Sequence, residues 1–266
     1  MKTLHLVPVP IVEGQGGGLF DGSALRVLPP ATIDVARQTE YFLVENARSA
    51  RAFLKAIGHP RPIQSLKIVQ IGHDADPAAS DRWLAPLADG GTPPSMDAVL
   101  LSEAGCPGIA DPGAVLVARA HELGIRVVPW VGPSSIVLAL MGAGMNGQQF
   151  RFLGYLPQGR EALCDRLRAV QRDAQSGETQ IFIETPYRNV RLFQTILEVC
   201  DANTRLGLAI ELTGPKQILA THTIAQWRTR RTSTERSLER RATVFLMHAT
   251  TRRPPSARDA RRQRRR

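Results

Sequence analysis

Short apolar runs alternate with amphipathic stretches along this chain, and that alternation limits its possible folds more than any other feature. Residues 4–9 read as a strand, 24–28 and 32–38 as helical material, and 39–44 as a second strand. A helix follows over 47–57 and is stopped by Gly58, His59 and Pro60. Strands are expected again at 66–71, 97–101 and 125–130, with a helix over 114–123 punctuated by Gly124 and an apolar helix over 136–141 after Ser134. Strand and helix in alternation predict a mostly parallel sheet covered on both faces. The second half changes character. Strands at 150–156, 180–183, 205–211, 218–224 and 242–247 accompany helices over 160–171 and 188–199, which predicts a mixed sheet with hairpin pairing near its end. The expected fold class is α/β. It comprises an N-terminal domain over 1–131, a C-terminal domain over 132–250 and an arginine-rich, disordered tail over 251–266.

The 266 residues, 43% of them apolar, suffice for a core without covalent staples. Cys106, Cys164 and Cys200 are odd in number and far apart, so free thiols in a reducing compartment are expected. The start carries prolines and only a short apolar run, which fits a buried strand rather than a signal peptide. No stretch has the roughly 18 uncharged apolar residues of a membrane span, so a soluble, cytoplasmic protein is expected. The formal charge of +10 is unevenly placed: residues 251–266 hold eight arginines and one aspartate, a net +7, leaving +3 for the other 250 residues. Such a tail is either simply solvated or holds RNA phosphates by counterion release.

Common nucleotide and metal signatures fail. Gly14-Gln15-Gly16-Gly17-Gly18 follows the first strand, but Leu19 stands where G-x-G-x-x-G needs its last glycine. That segment reads as a flexible loop able to close over a substrate. There is no P-loop motif, and His121-Glu122 lacks a second histidine four residues after the first, so a P-loop nucleotidase and a zinc protease lose their specific support. No metal site is expected.

Leu100-Leu101-Ser102-Glu103-Ala104-Gly105-Cys106-Pro107-Gly108-Ile109-Ala110-Asp111-Pro112-Gly113 differs in kind. An apolar strand runs into a loop of small residues, with two prolines and three glycines, and then into a helix. Small side chains at a strand's carboxyl end let backbone groups approach a ligand, and prolines fix the loop before binding. One glycine and one proline would make a structural turn; this concentration points to ligand capture.

The segment resembles the S-D-A-G-x-P-x-x-x-D-P-G motif of the tetrapyrrole methylase superfamily, in its branch of small-subunit ribosomal RNA ribose methyltransferases. Other landmarks follow in order. Glu45-Asn46-Ala47-Arg48 is similar to E-D-T-R, and Pro129-Trp130-Val131-Gly132-Pro133-Ser134-Ser135 to P-x-x-G-P-[SC]-[SA]. Phe152-Leu153-Gly154-Tyr155-Leu156-Pro157 is similar to F-x-G-[FY]-L-P, Glu184-Thr185-Pro186-Tyr187-Arg188 to E-[ST]-P-[HY]-R, and Glu211-Leu212-Thr213 to the start of E-L-T-K. The resemblance covers about residues 4–248.

The resemblance implies a homodimeric, two-domain methyltransferase with S-adenosylmethionine in the cleft between its domains. Its implied cofactor contacts are Pro10, Ser102, Glu103, Ala104, Gly105, Cys106, Ile109, Ser134, Ser135, Ile183 and Leu212. Ser134 and Ser135 have a second reading as helix caps. The chain departs from the pattern in the first loop, at Asn46 and Ala47, at Cys106 in place of threonine, and at Gly214 in place of lysine. The specific acceptor expected is a ribose 2'-hydroxyl of small-subunit ribosomal RNA. A small, tetrapyrrole-like acceptor and a noncatalytic RNA-binding protein are the alternatives. Methyl transfer needs alignment of donor and acceptor, and a hydroxyl acceptor must also lose its proton. Glu103, Asp111 and Glu184 are the nearest carboxylates, and Arg48, Arg188 and Lys216 the nearest cations. Glu103 and Arg188 are taken as the catalytic candidates. His73 reads as a polar cap, and Cys106 has no histidine to activate it as a nucleophile.

Overall fold

The computed structural model describes residues 2–11, 20, 22, 24–71, 77–87 and 96–249. The loop at 14–18, His73 and the tail at 251–266 lie outside them. Contacts divide the chain into two units, one running to Leu138 and taking in Leu212–Lys216, the other comprising Ala139–Glu211 and the chain from Gln217 onward.

In the first unit, strands β1 (Thr3–Leu6), β2 (Tyr41–Val44), β3 (Lys67–Gln70), β4 (Ala98–Leu101) and β5 (Arg126–Pro129) form a sheet in the order β3-β2-β4-β1-β5. Every pairing in it is parallel. Helices α1 (Pro30–Gln38), α2 (Ala47–Ala56), α3 (Pro77–Leu84) and α4 (Gly113–Glu122) supply the cover, and α5 (Ser135–Ala143) leads onward. Alternate residues of a strand face opposite sides, and both sides here are dry. Phe42, Val44, Val99 and Leu101 enter one apolar cluster, with Phe53 and Leu54 of α2. Tyr41, Leu43, Ala98 and Leu100 enter another, with Leu84 and Leu116. That double burial explains why β2 and β4 read as unbroken apolar runs.

Helix α2 begins where Asn46 accepts the backbone N–H groups of Arg48 at 2.8 Å and Ser49 at 3.5 Å. Asparagine caps a helix as well as the aspartate usual in the family, so this departure preserves the local structure.

The second unit holds β6 (Phe150–Tyr155), α6 (Arg160–Gln175), β7 (Thr179–Ile183), α7 (Asn189–Val199), β8 (Arg205–Ile210), β9 (Ile218–Thr223), α8 (Ile224–Thr229), α9 (Arg231–Leu238) and β10 (Thr243–His248). Its sheet runs β6-β7-β10-β8-β9, parallel between β6 and β7 and antiparallel elsewhere. The core packs Leu163 and Leu167 of α6 and Phe193 and Ile196 of α7 against Phe182, Leu208 and Phe245.

Three helices were not expected. Ser80 and Leu84 of α3 are buried, but the helix is too short for its period to stand out. Helix α8 starts on a capping box, in which Thr223 accepts the Gln226 N–H at 3.2 Å while the Gln226 side chain accepts the Thr223 N–H at 3.0 Å. Helix α9 is largely polar and buries only Thr234 and Leu238. No helix among the described residues is long and apolar enough to cross a membrane.

Candidate active site

The loop after β4 is bound to the segment after β1 by a pair of backbone hydrogen bonds. Val9 N–H donates to Gly105 C=O at 3.0 Å, and Gly105 N–H returns a bond to Val9 C=O at 3.2 Å. Gly105 has φ +82°, and a Cβ there would press on Ile11 at 3.1 Å and on the Pro133 carbonyl oxygen at 3.4 Å. Glycine is needed both for the dihedral and for the close approach. The buried Ser102 hydroxyl donates to the same Gly105 carbonyl at 2.9 Å, closing the turn from within.

Asp111 anchors the far side. One of its carboxylate oxygens accepts the N–H of Gly108 at 2.7 Å and that of Gly113 at 2.9 Å. Burial pushes the Asp111 carboxyl above its ordinary range, and the two backbone bonds pull the other way. Asp111 therefore holds the loop and the start of α4 rather than facing a reactant. Glu103 is exposed, and its N–H donates to the Glu45 carboxylate at 2.8 Å. The Glu103–Ala104 peptide is cis. Cys106 points its thiol at the Pro133 carbonyl oxygen, 3.4 Å away, and burial raises its pKa.

A cavity of about 210 Å³ opens beside this loop, with Pro10, Phe20, Ala50, Phe53, Ser102 and Glu103 among the residues in its wall. Phe20 and Phe53 meet edge to face at 5.7 Å on its apolar side. Pro10, Ser102, Glu103 and Ala104 thus share one cavity, while Gly105 and Cys106 lie behind it in the loop and Ile109 is exposed on the loop's outer turn. The Ser134 hydroxyl accepts the Val137 N–H at 3.4 Å, a capping contact, and Ser135 opens α5. Leu212 groups with the first unit and is buried. Ile183 ends β7 in the second unit.

Arg188 also belongs to the second unit, and its guanidinium is committed. Its Nε and Nη2 donate to one oxygen of Glu184 at 2.9 and 2.7 Å, and Thr185 N–H donates to that oxygen at 2.6 Å. Arg48 is exposed on the first turn of α2, and Lys216 lies in the segment grouped with the first unit. Among the described residues, no three His, Cys, Asp or Glu side chains gather as a metal site.

Two features escaped the sequence reading. Glu45 was noted only as a landmark, yet its carboxylate positions Glu103. Ala110, Glu211 and Thr213 adopt φ of +61°, +46° and +69°, and all three fall within the recognised motifs. Non-glycine residues held in this region mark segments whose surroundings dictate their shape, and such segments cluster at ligand clamps. No sequence signal announces them.

The two-unit fold is that of the tetrapyrrole methylases. The methyltransferase CobJ aligns over 93% of this chain and 93% of its own, with TM-score 0.55 and 16% identity. A uroporphyrin-III C-methyltransferase from Thermus thermophilus, solved in complex with S-adenyl homocysteine, aligns over 93% and 97% with TM-score 0.52 and 13% identity. In sequence, the ribosomal RNA small subunit methyltransferase I of Xylella fastidiosa is 32% identical over 211 residues, 79% of this chain and 68% of that protein. The chain belongs to the ribosomal RNA small subunit methyltransferase I family and is a methyltransferase. It spans about two thirds of the length of the curated relatives it matches. No protein-family model matches it.

Proposed function

We propose that this protein transfers a methyl group from S-adenosylmethionine to a ribose 2'-hydroxyl of small-subunit ribosomal RNA, as a homodimer in the cytoplasm. The observation that supports the cofactor assignment is the cavity beside the loop, walled by Pro10, Ser102, Glu103 and Ala104. Asp111 and Ser102 hold the loop's shape in advance, which lowers the entropy lost on binding. Pro10, Ser102, Ala104, Gly105, Cys106 and Ile109 are the residues we assign to cofactor binding, with Ser134, Ser135, Ile183 and Leu212 assigned on family resemblance.

When bound, S-adenosylmethionine supplies an electrophilic methyl on a sulfonium. The chain must then align the acceptor and receive its proton. Positioning of this kind contributes up to about 7–11 kcal/mol in favourable cases. Glu103 is the carboxylate we assign to accept the proton; its exposure at the cavity wall and the tie of its backbone to Glu45 support that role. Arg188, fixed in orientation by Glu184, is suited to a phosphate of the acceptor strand. The name shared by the relatives favours RNA over a tetrapyrrole, because the uroporphyrin enzymes are far more distant in sequence.

Mass spectrometry of ribosomal RNA nucleosides from cells with and without the gene tests the proposal. Loss of one 2'-O-methyl nucleoside from the small subunit is expected, and an unchanged map would reject the acceptor.

A further inference from the structure

The chain has three tyrosines. Tyr41 is buried in the first sheet, whereas Tyr155 and Tyr187 leave 59% and 71% of their surface in solvent. These two belong to one place in the second unit, the carboxyl end of the parallel pair β6 and β7, where Tyr155 stands in register with Ile183. Open α/β sheets bind ligands at that end of their parallel strands.

Tyr155 is aimed outward by a local device. The β6–β7 register slips between Phe152 and Tyr155, and Gly154, with φ +66°, occupies the irregularity. A bulge redirects the side chain that follows it, and here the next residue, Leu156, returns to the core. Tyr187 lies in the short turn after β7, with the Arg188 guanidinium carbon 5.2 Å from its ring centroid. Arg188 cannot swing away, because Glu184, almost fully buried, takes both its Nε and Nη2. Both rings lie in the neighbourhood of the Arg188 guanidinium. The surrounding unit is basic: residues 139–211 and 217–249 hold fourteen arginines against ten carboxylates, a net +4.

Two exposed rings beside an immobilised guanidinium, on a basic unit, match a ligand that combines a flat aromatic face with an anion. A nucleotide of an unpaired strand has both. Bases of single-stranded RNA are commonly held by stacking on tyrosine rings and guanidinium planes. We propose that Tyr155, Tyr187 and Arg188 form a stacking platform for an unpaired base of the RNA. This inference rests on RNA as the acceptor. It adds that the chain grips a splayed single strand through its second unit.

The test uses the full chain and a fluorescently labelled, unstructured 12-nucleotide RNA, with binding followed by anisotropy over a range of salt. Tyr155→Ala and Tyr187→Ala are each expected to weaken binding about 5- to 100-fold, the range seen for loss of one stacked base. The dependence on salt should stay the same, since stacking neutralises no phosphate. Tyr187→Phe keeps the ring and should bind within about twofold of the parent. Alanine variants that bind like the parent overturn the platform. So does a loss of binding that appears only with a change from dimer to monomer in sedimentation equilibrium, because the face would then belong to a second copy of the chain. Methyl transfer to small-subunit RNA, measured on the same preparations, separates the two ideas. A parent protein that transfers methyl while the alanine variants bind normally sinks the platform alone. A parent that transfers none sinks the proposed function.

Discussion

In the first unit the candidate loop is held through its main-chain N–H and C=O groups, and in the second the candidate residue Arg188 is held through its side chain. Val9 and Gly105 exchange main-chain hydrogen bonds, and Asp111 reaches two further N–H groups of the same loop. The first unit's sheet is wholly parallel, so the loops that follow its strands leave from one edge, and the loop after β4 is built of small residues. In the second unit Glu184 gathers Thr185 and Arg188 by its carboxylate, and Arg241 reaches Glu211 at 2.7 Å in the same way. A site of arginine and tyrosine suits a charged, flat ligand.

The contrast can be broken most forcefully at Glu184. Its carboxylate is nearly buried and is the acceptor for both Arg188 and the Thr185 N–H, so Glu184→Ala is expected to lower the midpoint of chemical denaturation. An unchanged midpoint would mean that the second unit does not depend on that ion pair.

Asp111→Ala sharpens the other side. Two partly buried N–H groups lose their acceptor, which costs about 2 kcal/mol, and Asp111→Asn should recover most of it by keeping an oxygen there. Hydrogen exchange at the Gly108 and Gly113 amides checks the cause. Protection should fall in the alanine variant and stay high in the asparagine variant.

The smallest effect is a dependence on pH. Burial lowers the pKa of His5, His222 and His248 below the ordinary 6.5. The folded chain therefore resists a proton that the unfolded chain accepts, and the stability these groups contribute is present above about pH 6.5 and lost as the pH falls below it. His5 lies in the first unit, where its Nδ1 accepts from the Trp130 indole at 3.1 Å, and the other two lie in the second. Denaturation midpoints should fall between pH 7 and 5, with hydrogen exchange rising more in the second unit. Midpoints that rise over that range would contradict the assignment.

Much of this was legible in the sequence. The strand runs at β2 and β4 are apolar at every position because both faces of the sheet are covered, and the loop at 102–113 stands out because a backbone site needs glycine, proline and small residues close together. What stayed hidden depends on how the fold surrounds a residue. Nothing near Arg188 in composition says that Glu184 is nearly buried, and nothing near Glu103 says that Glu45, 58 residues away, accepts its N–H. The left-handed backbone at Thr213 is likewise imposed by surroundings, since threonine has no local preference for it. Helix α9 was missed because its mostly polar residues lack an apolar period. One departure from the family pattern keeps the local structure, because Asn46 caps α2.

The central claim is that the loop from Ser102 to Gly113 captures S-adenosylmethionine. Calorimetric titration of S-adenosylmethionine into the full chain tests it most directly. Saturable binding at micromolar concentration, weakened about 100-fold or more by Gly105→Val, which forces a β-branched residue into a left-handed, crowded position, is the predicted result. Absence of binding at high micromolar cofactor, or equal binding by the valine variant, would contradict it.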